Sequence, residues 1–175
     1  MNPTEMKAQI TALADELGCE VRMRYGLAGM MYVEYEPPMI ETPSLVPWDN
    51  GPTVNICYMT ALHELGHVAN GHTQGRPPFE DQTYYFDHGV LRCEAEAWNW
   101  GLDRCEVSLT KRDCTYMADR YFGSYISHAR VLRGRPTRLQ NGNRHHVEFT
   151  FDDPDGEYVQ TTLTRLANAY NGKDE

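Results

Sequence analysis

Thr60-Ala61-Leu62-His63-Glu64-Leu65-Gly66-His67 runs on into Val68-Ala69-Asn70-Gly71 and sets two His residues four apart. Upstream, Ile56, Met59 and Leu62 recur with helical spacing, and Asn70-Gly71 is a helix stop. The spacing therefore predicts a buried helix that begins near Thr53 and carries both His residues in its last two turns. Residues four apart share one helix face, so the two imidazoles can reach the same point in space. Two neutral imidazoles supply half of a tetrahedral zinc shell. Glu64, next to the first of them, can take the proton of a water held there.

The third ligand sets the subclass. One extended form of this motif places Gly three residues and His six residues after the second His. Here Asn70 and Thr73 stand at those positions, so that form is excluded. His72 falls beyond the helix stop and reads as a solvated loop residue, with an outer role at the metal as the alternative. A carboxylate from a later helix is the remaining option. The segment Gly89 to Leu102 supplies it, with Leu91, Ala95 or Trp98, and Leu102 forming an apolar stripe. Glu94 lies near that stripe, where a buried carboxylate needs a partner, and is preferred as third ligand. Glu96 is the rival.

These residues resemble the ImmA/IrrE-type zinc metallopeptidases. The helix typical of that family reads Thr-x-x-His-Glu-x-x-His, matched by Thr60 to His67, and a further His nearby is matched by His72. Its second motif, Glu-x-x-Ala-Asn/Asp-x-Phe-Ala, is followed more loosely by Glu94 to Gly101. Glu94 and Ala97 are kept, while Trp98, Trp100 and Gly101 depart from the pattern. The resemblance covers roughly residues 53 to 102. It implies an α+β, zincin-like metallopeptidase domain, with a small antiparallel sheet packed against the active-site helix and further helices. It also implies one zinc ion on His63, His67 and Glu94, with Glu64 as general base. The substrate it implies is a specific intracellular protein, such as a transcriptional repressor of a phage or other mobile element. The Trp98 departure removes a polar residue one turn after the ligand, where a hydrogen bond often orients a zinc-bound His. Asn99, Asp87 or Asp103 are the available substitutes.

Composition narrows the function classes. A length of 175 residues with 41% hydrophobic content suits a single globular domain. A net charge of −9 argues against a sequence-independent nucleic-acid surface. The basic run from Arg130 to Arg138 contains Gly134 and Pro136 and reads as a solvated loop. Five Cys residues without a Cys-x-x-Cys pair form neither a disulfide framework nor a zinc knuckle, so reduced thiols and a cytoplasmic setting are expected. No apolar run reaches the length of a membrane span, and the N-terminus does not read as a signal peptide.

The rest of the chain divides into a core over 1–135 and a C-terminal addition over 136–175. Asn2-Pro3 opens a first helix with Met6, Ile10, Leu13, Ala14 and Leu17 inward, and Gly18 closes it. Glu20 to Tyr25 and Met30 to Glu36 read as a hairpin. Met30 to Glu36 or Ile40 to Val46 is a candidate edge for strand addition by a peptide substrate. Tyr84, Tyr85 and His88, in the connection between the ligand helices, are candidates to stabilise an oxyanion. Leu109 to Leu132 reads as a third helix or helix pair, with His128 on its surface. His145 to Phe151 and Glu157 to Leu163 flank an acidic turn and read as a second hairpin, followed by a short helix over Leu163 to Tyr170. His145 and His146 are adjacent, so on a strand they point to opposite faces and do not form a ligand pair. A non-catalytic zincin-like protein that binds a regulator or toxin is the alternative function.

Overall fold

Asn2 starts the first helix, α1 (Pro3–Leu17), by accepting hydrogen bonds from the main-chain N–H groups of Thr4 and Glu5 at 2.9 and 3.1 Å. Glu5 returns the favour by accepting from the Asn2 N–H at 2.7 Å, which completes a capping box. Gly18, at φ 65°, closes the helix in the left-handed conformation that glycine tolerates best. Met6, Ile10 and Ala14 are its buried residues, and Leu13 and Leu17 are half-buried. The computed structural model describes residues 1–25, 30–32, 36–46, 51–72, 90–123 and 155–170. These form two compact units: Met1–Arg76 with Glu96–Val107, and Pro77–Ala95 with Ser108–Glu175.

In the first unit, β1 (Glu20–Arg24), β2 (Met30–Tyr32) and β3 (Met39–Pro43) form one sheet in the order β1-β3-β2. The expected antiparallel sheet is instead mixed: β1 runs parallel to β3, and β2 runs antiparallel to it. Nor do the first two runs pair as a hairpin, because β3 lies between them. All five residues of β3 are buried, whereas β1 alternates between exposed and half-buried. A strand covered on both faces belongs at the sheet centre, and this outweighs the nearness of β1 and β2 in sequence. Met39 to Glu41 is consequently paired on both sides and offers no free edge. The buried Glu41 of β3 is held by Arg24 of β1 at 2.7 Å.

Helix α2 (Val54–Ala69) packs against α1 and β3, and every residue from Ile56 to His67 is buried. Thr53 caps it by accepting from the Ile56 N–H at 3.2 Å. The C-terminal half of α3 (Val90–Asp103) approaches it closely. A Cβ on Gly66 would lie 2.5 Å from the Ala97 carbonyl oxygen, and one on Gly101 would lie 3.3 Å from Leu62. These two contacts make the helices antiparallel.

The second unit contains α4 (Lys111–Tyr116), which continues as a π-helical turn over Met117–Phe122, and α5 (Asp155–Ala167). Cys114, Met117, Ala118 and Phe122 are buried, in keeping with a core helix in this region. Glu157 to Leu163 is not the second strand of a hairpin but part of α5. Val159, Thr162 and Leu166 are its buried positions, and their spacing of three and four is helical. Local β-propensity in Tyr-Val-Gln-Thr-Thr is overridden by that period. His145 to Phe151, His128 and Arg130 to Arg138 lie outside the described residues. Among the described residues, no helix is long and apolar enough to cross a membrane.

Gly66→Ala should destabilise the fold by about 1–3 kcal/mol, because the added methyl meets main chain rather than a movable side chain. Gly101→Ala should cost less, and urea unfolding of the two variants ranks them. Tyr58 gives a second test. It is buried on α2 and donates its hydroxyl proton to Gln9 Oε1 of α1. Gln9 Nε2 in turn donates to the Arg104 carbonyl at 3.2 Å and to the Glu106 carboxylate at 2.9 Å. Burial pushes the Tyr58 phenol up to about 12, against a lowering contribution from the Glu106 main chain. The folded chain therefore keeps this proton at a pH where the unfolded chain, titrating near 10, has released it. This contribution to stability is complete below about pH 10 and is lost as pH rises towards about 12. Tyr58→Phe should remove that alkaline component of the unfolding profile.

Candidate metal centre

The burial of α2 on all sides brings its polar residues into the interior. His63, Glu64 and His67 are 5%, 6% and 6% exposed, and Glu94 of α3 is 3% exposed. Helix periodicity sets their directions. His63 and His67 lie one turn apart on α2, and Glu94, Ala97, Trp98 and Gly101 form one stripe along α3. Glu94 stands two residues before the portion of α3 that belongs to the first unit, on the same uninterrupted helix.

His63, His67 and Glu94 each offer one ligand atom, and these atoms all lie within 4.8 Å of one another. His63 Nε2 and His67 Nε2 are 3.1 Å apart. A tetrahedron with zinc–nitrogen bonds of about 2.0–2.1 Å has an edge of about 3.3 Å, close to that separation. The donor set also fits: two borderline imidazoles and one carboxylate suit zinc and leave a fourth position open. A divalent cation would offset the cost of burying the Glu94 carboxylate, which is several kcal/mol for an ion taken out of water. The structure thus brings together the three residues expected as ligands, and they could hold one metal ion. Glu64, the expected general base, lies on α2 with the two imidazoles and is as buried as they are.

Glu96, the rival carboxylate, engages another group. Its Oε2 lies 3.1 Å from His72 Nε2, and His72 Nδ1 lies 2.9 Å from His67 Nδ1. His72 is buried, so its reading as a solvated loop residue is corrected. The cause is the turn that ends α2. The His72 N–H donates to the His67 carbonyl and the Gly71 N–H to the Val68 carbonyl, both at 3.0 Å, with Gly71 at φ 66°. This is a Schellman motif, which folds the second residue past the cap back onto the last turn. Asn70-Gly71 was therefore the available sequence signal for His72 as well as for the helix end.

Trp98 is buried and stacks on His63, with ring centroids 4.3 Å apart and planes inclined by 28°. The indole thus holds the His63 ring by face contact. His63 and His67 meet edge to face at 4.6 Å. Tyr84, Tyr85, Asp87 and His88 lie outside the described residues. All five cysteines are free thiols, and burial raises the pKa of Cys19 and Cys105. Compared with known proteins, the chain matches no family model, no curated protein and no solved structure.

Zinc at about 100 times its dissociation constant should stabilise the folded chain by about 2.7 kcal/mol, reversed by chelator. Glu94→Ala should lose most of that increment in thermal unfolding with and without the metal. Equal zinc-induced shifts in the two proteins would remove Glu94 from the ligand set.

Proposed function

We propose that this chain is a zinc-dependent peptidase of the ImmA/IrrE type, acting in the cytoplasm on a specific protein such as a transcriptional repressor. The observation that carries the proposal is the buried convergence of His63, His67 and Glu94 beside Glu64. Free thiols support a reducing compartment. The zincin-like fold assignment belongs to the same proposal and is supported by the α2 motif and its packing on β3.

In this reading His63, His67 and Glu94 would hold one zinc ion. When bound, the ion supplies Lewis acidity, polarising an acyl carbonyl and making a water easier to deprotonate. Glu64 accepts the proton of the attacking water and delivers it to the departing amine, so one carboxylate serves both halves of the hydrolysis. Trp98 limits rotation of His63 and excludes solvent from that side of its ring.

A second reading is favoured by the depth of these four groups. A metal-loaded protein that binds a regulator or toxin without cutting it would also bury them. Glu64→Gln separates the two. In an enzyme it should retain zinc stoichiometry and folding while cutting peptide hydrolysis by roughly 10²–10⁴-fold. In a binder it should leave partner capture unchanged. The assay incubates the protein with neighbouring gene products, with and without chelator, and reads fragments by mass spectrometry.

A further inference from the structure

We infer that Glu96 and His72 are positioning residues that set the tautomer and direction of His67, an inference that rests on the zinc site proposed above. Three contacts in series carry it: Glu96 Oε2 to His72 Nε2 at 3.1 Å, His72 Nδ1 to His67 Nδ1 at 2.9 Å, and His67 Nε2 to His63 Nε2 at 3.1 Å. An ionised carboxylate only accepts hydrogen bonds, so His72 Nε2 must carry the hydrogen of the first contact. A neutral imidazole has one N–H, which leaves His72 Nδ1 as an acceptor. His67 Nδ1 is then the donor of the second contact, and the lone pair of His67 is on Nε2, the atom that faces His63. The polarity of the chain is dictated from the Glu96 end.

Backbone geometry makes the arrangement possible. The Schellman turn at Asn70-Gly71 usually brings together two apolar side chains, from the third residue before the cap and the second after it. Here those positions are His67 and His72, so a structural turn is used to deliver a hydrogen-bond partner to a ligand ring. Glu96 reaches His72 from α3, two residues from Glu94. One helix therefore supplies both a ligand and the group that orients another ligand. The two carboxylates have different tasks.

The test uses the full chain and zinc ions alone. Long-range ¹⁵N–¹H correlation of the zinc-free protein should find His67 with hydrogen on Nδ1, and His72→Ala should lose that preference. Zinc titration should show binding weakened about 10–100-fold in His72→Ala and in Glu96→Ala. The double variant should be no weaker than either single one, because both remove the same chain of contacts. His72→Gln, whose amide can accept from His67 and donate to Glu96, should restore part of the loss. Circular dichroism and zinc-free unfolding of His72→Gln separate these effects from misfolding. Hydrogen on His67 Nε2 in the unaltered protein, wild-type zinc affinity in the single variants, or additive losses would each overturn the inference. Failure of the unaltered protein to bind zinc would instead remove the zinc site, and the tautomer measurement would still decide the contact chain.

Discussion

The close approach of α2 and α3 is the constraint on which the rest depends. Gly66 lies inside the His-Glu-x-x-His stretch and has no side chain where the Ala97 main chain passes. Gly101 does the same for Leu62 one turn away. Small residues at both crossings let the two helix backbones come within reach of each other's short polar groups. A carboxylate on α3 can then meet two imidazoles on α2. Trp98 fits beside these glycines because it occupies the turn between them and stacks on His63.

A buried polar cluster is unfavourable unless its members satisfy one another. His67, His72 and Glu96 meet that requirement in series, and α3 supplies its share compactly. Five residues of α3, Glu94 to Trp98, contain the carboxylate near His63 and His67, the carboxylate that engages His72, the stacked indole and the close-contact Ala97. At the C-terminus of α2 a single glycine conformation both ends the helix and turns His72 inward. Stability and site geometry are thus coupled, because the same backbone turn serves each.

Much of this was legible locally. Asn2-Pro3 and Gly18 bounded α1, Thr53 and Asn70-Gly71 bounded α2, and the i, i+4 spacing of His63 and His67 put both rings on one face. Glu94 was legible because it lies beside an apolar stripe. The sheet was not, because strand pairing is a choice among partners distant in the chain. Nothing within Glu20 to Tyr32 reveals that Met39–Pro43 will be buried on both faces and take the central place. In Glu157 to Leu163, residues with strand propensity obscured the three-and-four spacing of Val159, Thr162 and Leu166, and that spacing won.

The helix ends and the placing of two imidazoles with a carboxylate beside them were already written in the order of amino acids, since each depends on contacts within a turn or two. It left Glu94 and Glu96 competing, because both carboxylates sit on the same short helix and differ only in direction. Packing separates their surroundings: α3 crosses α2 at Gly66, with Glu94 grouped with the two rings and Glu96 beside His72. It also set Trp98 against the His63 ring and buried His72. Those outcomes depend on which surfaces meet when helices pack, and packing is a property of the whole chain.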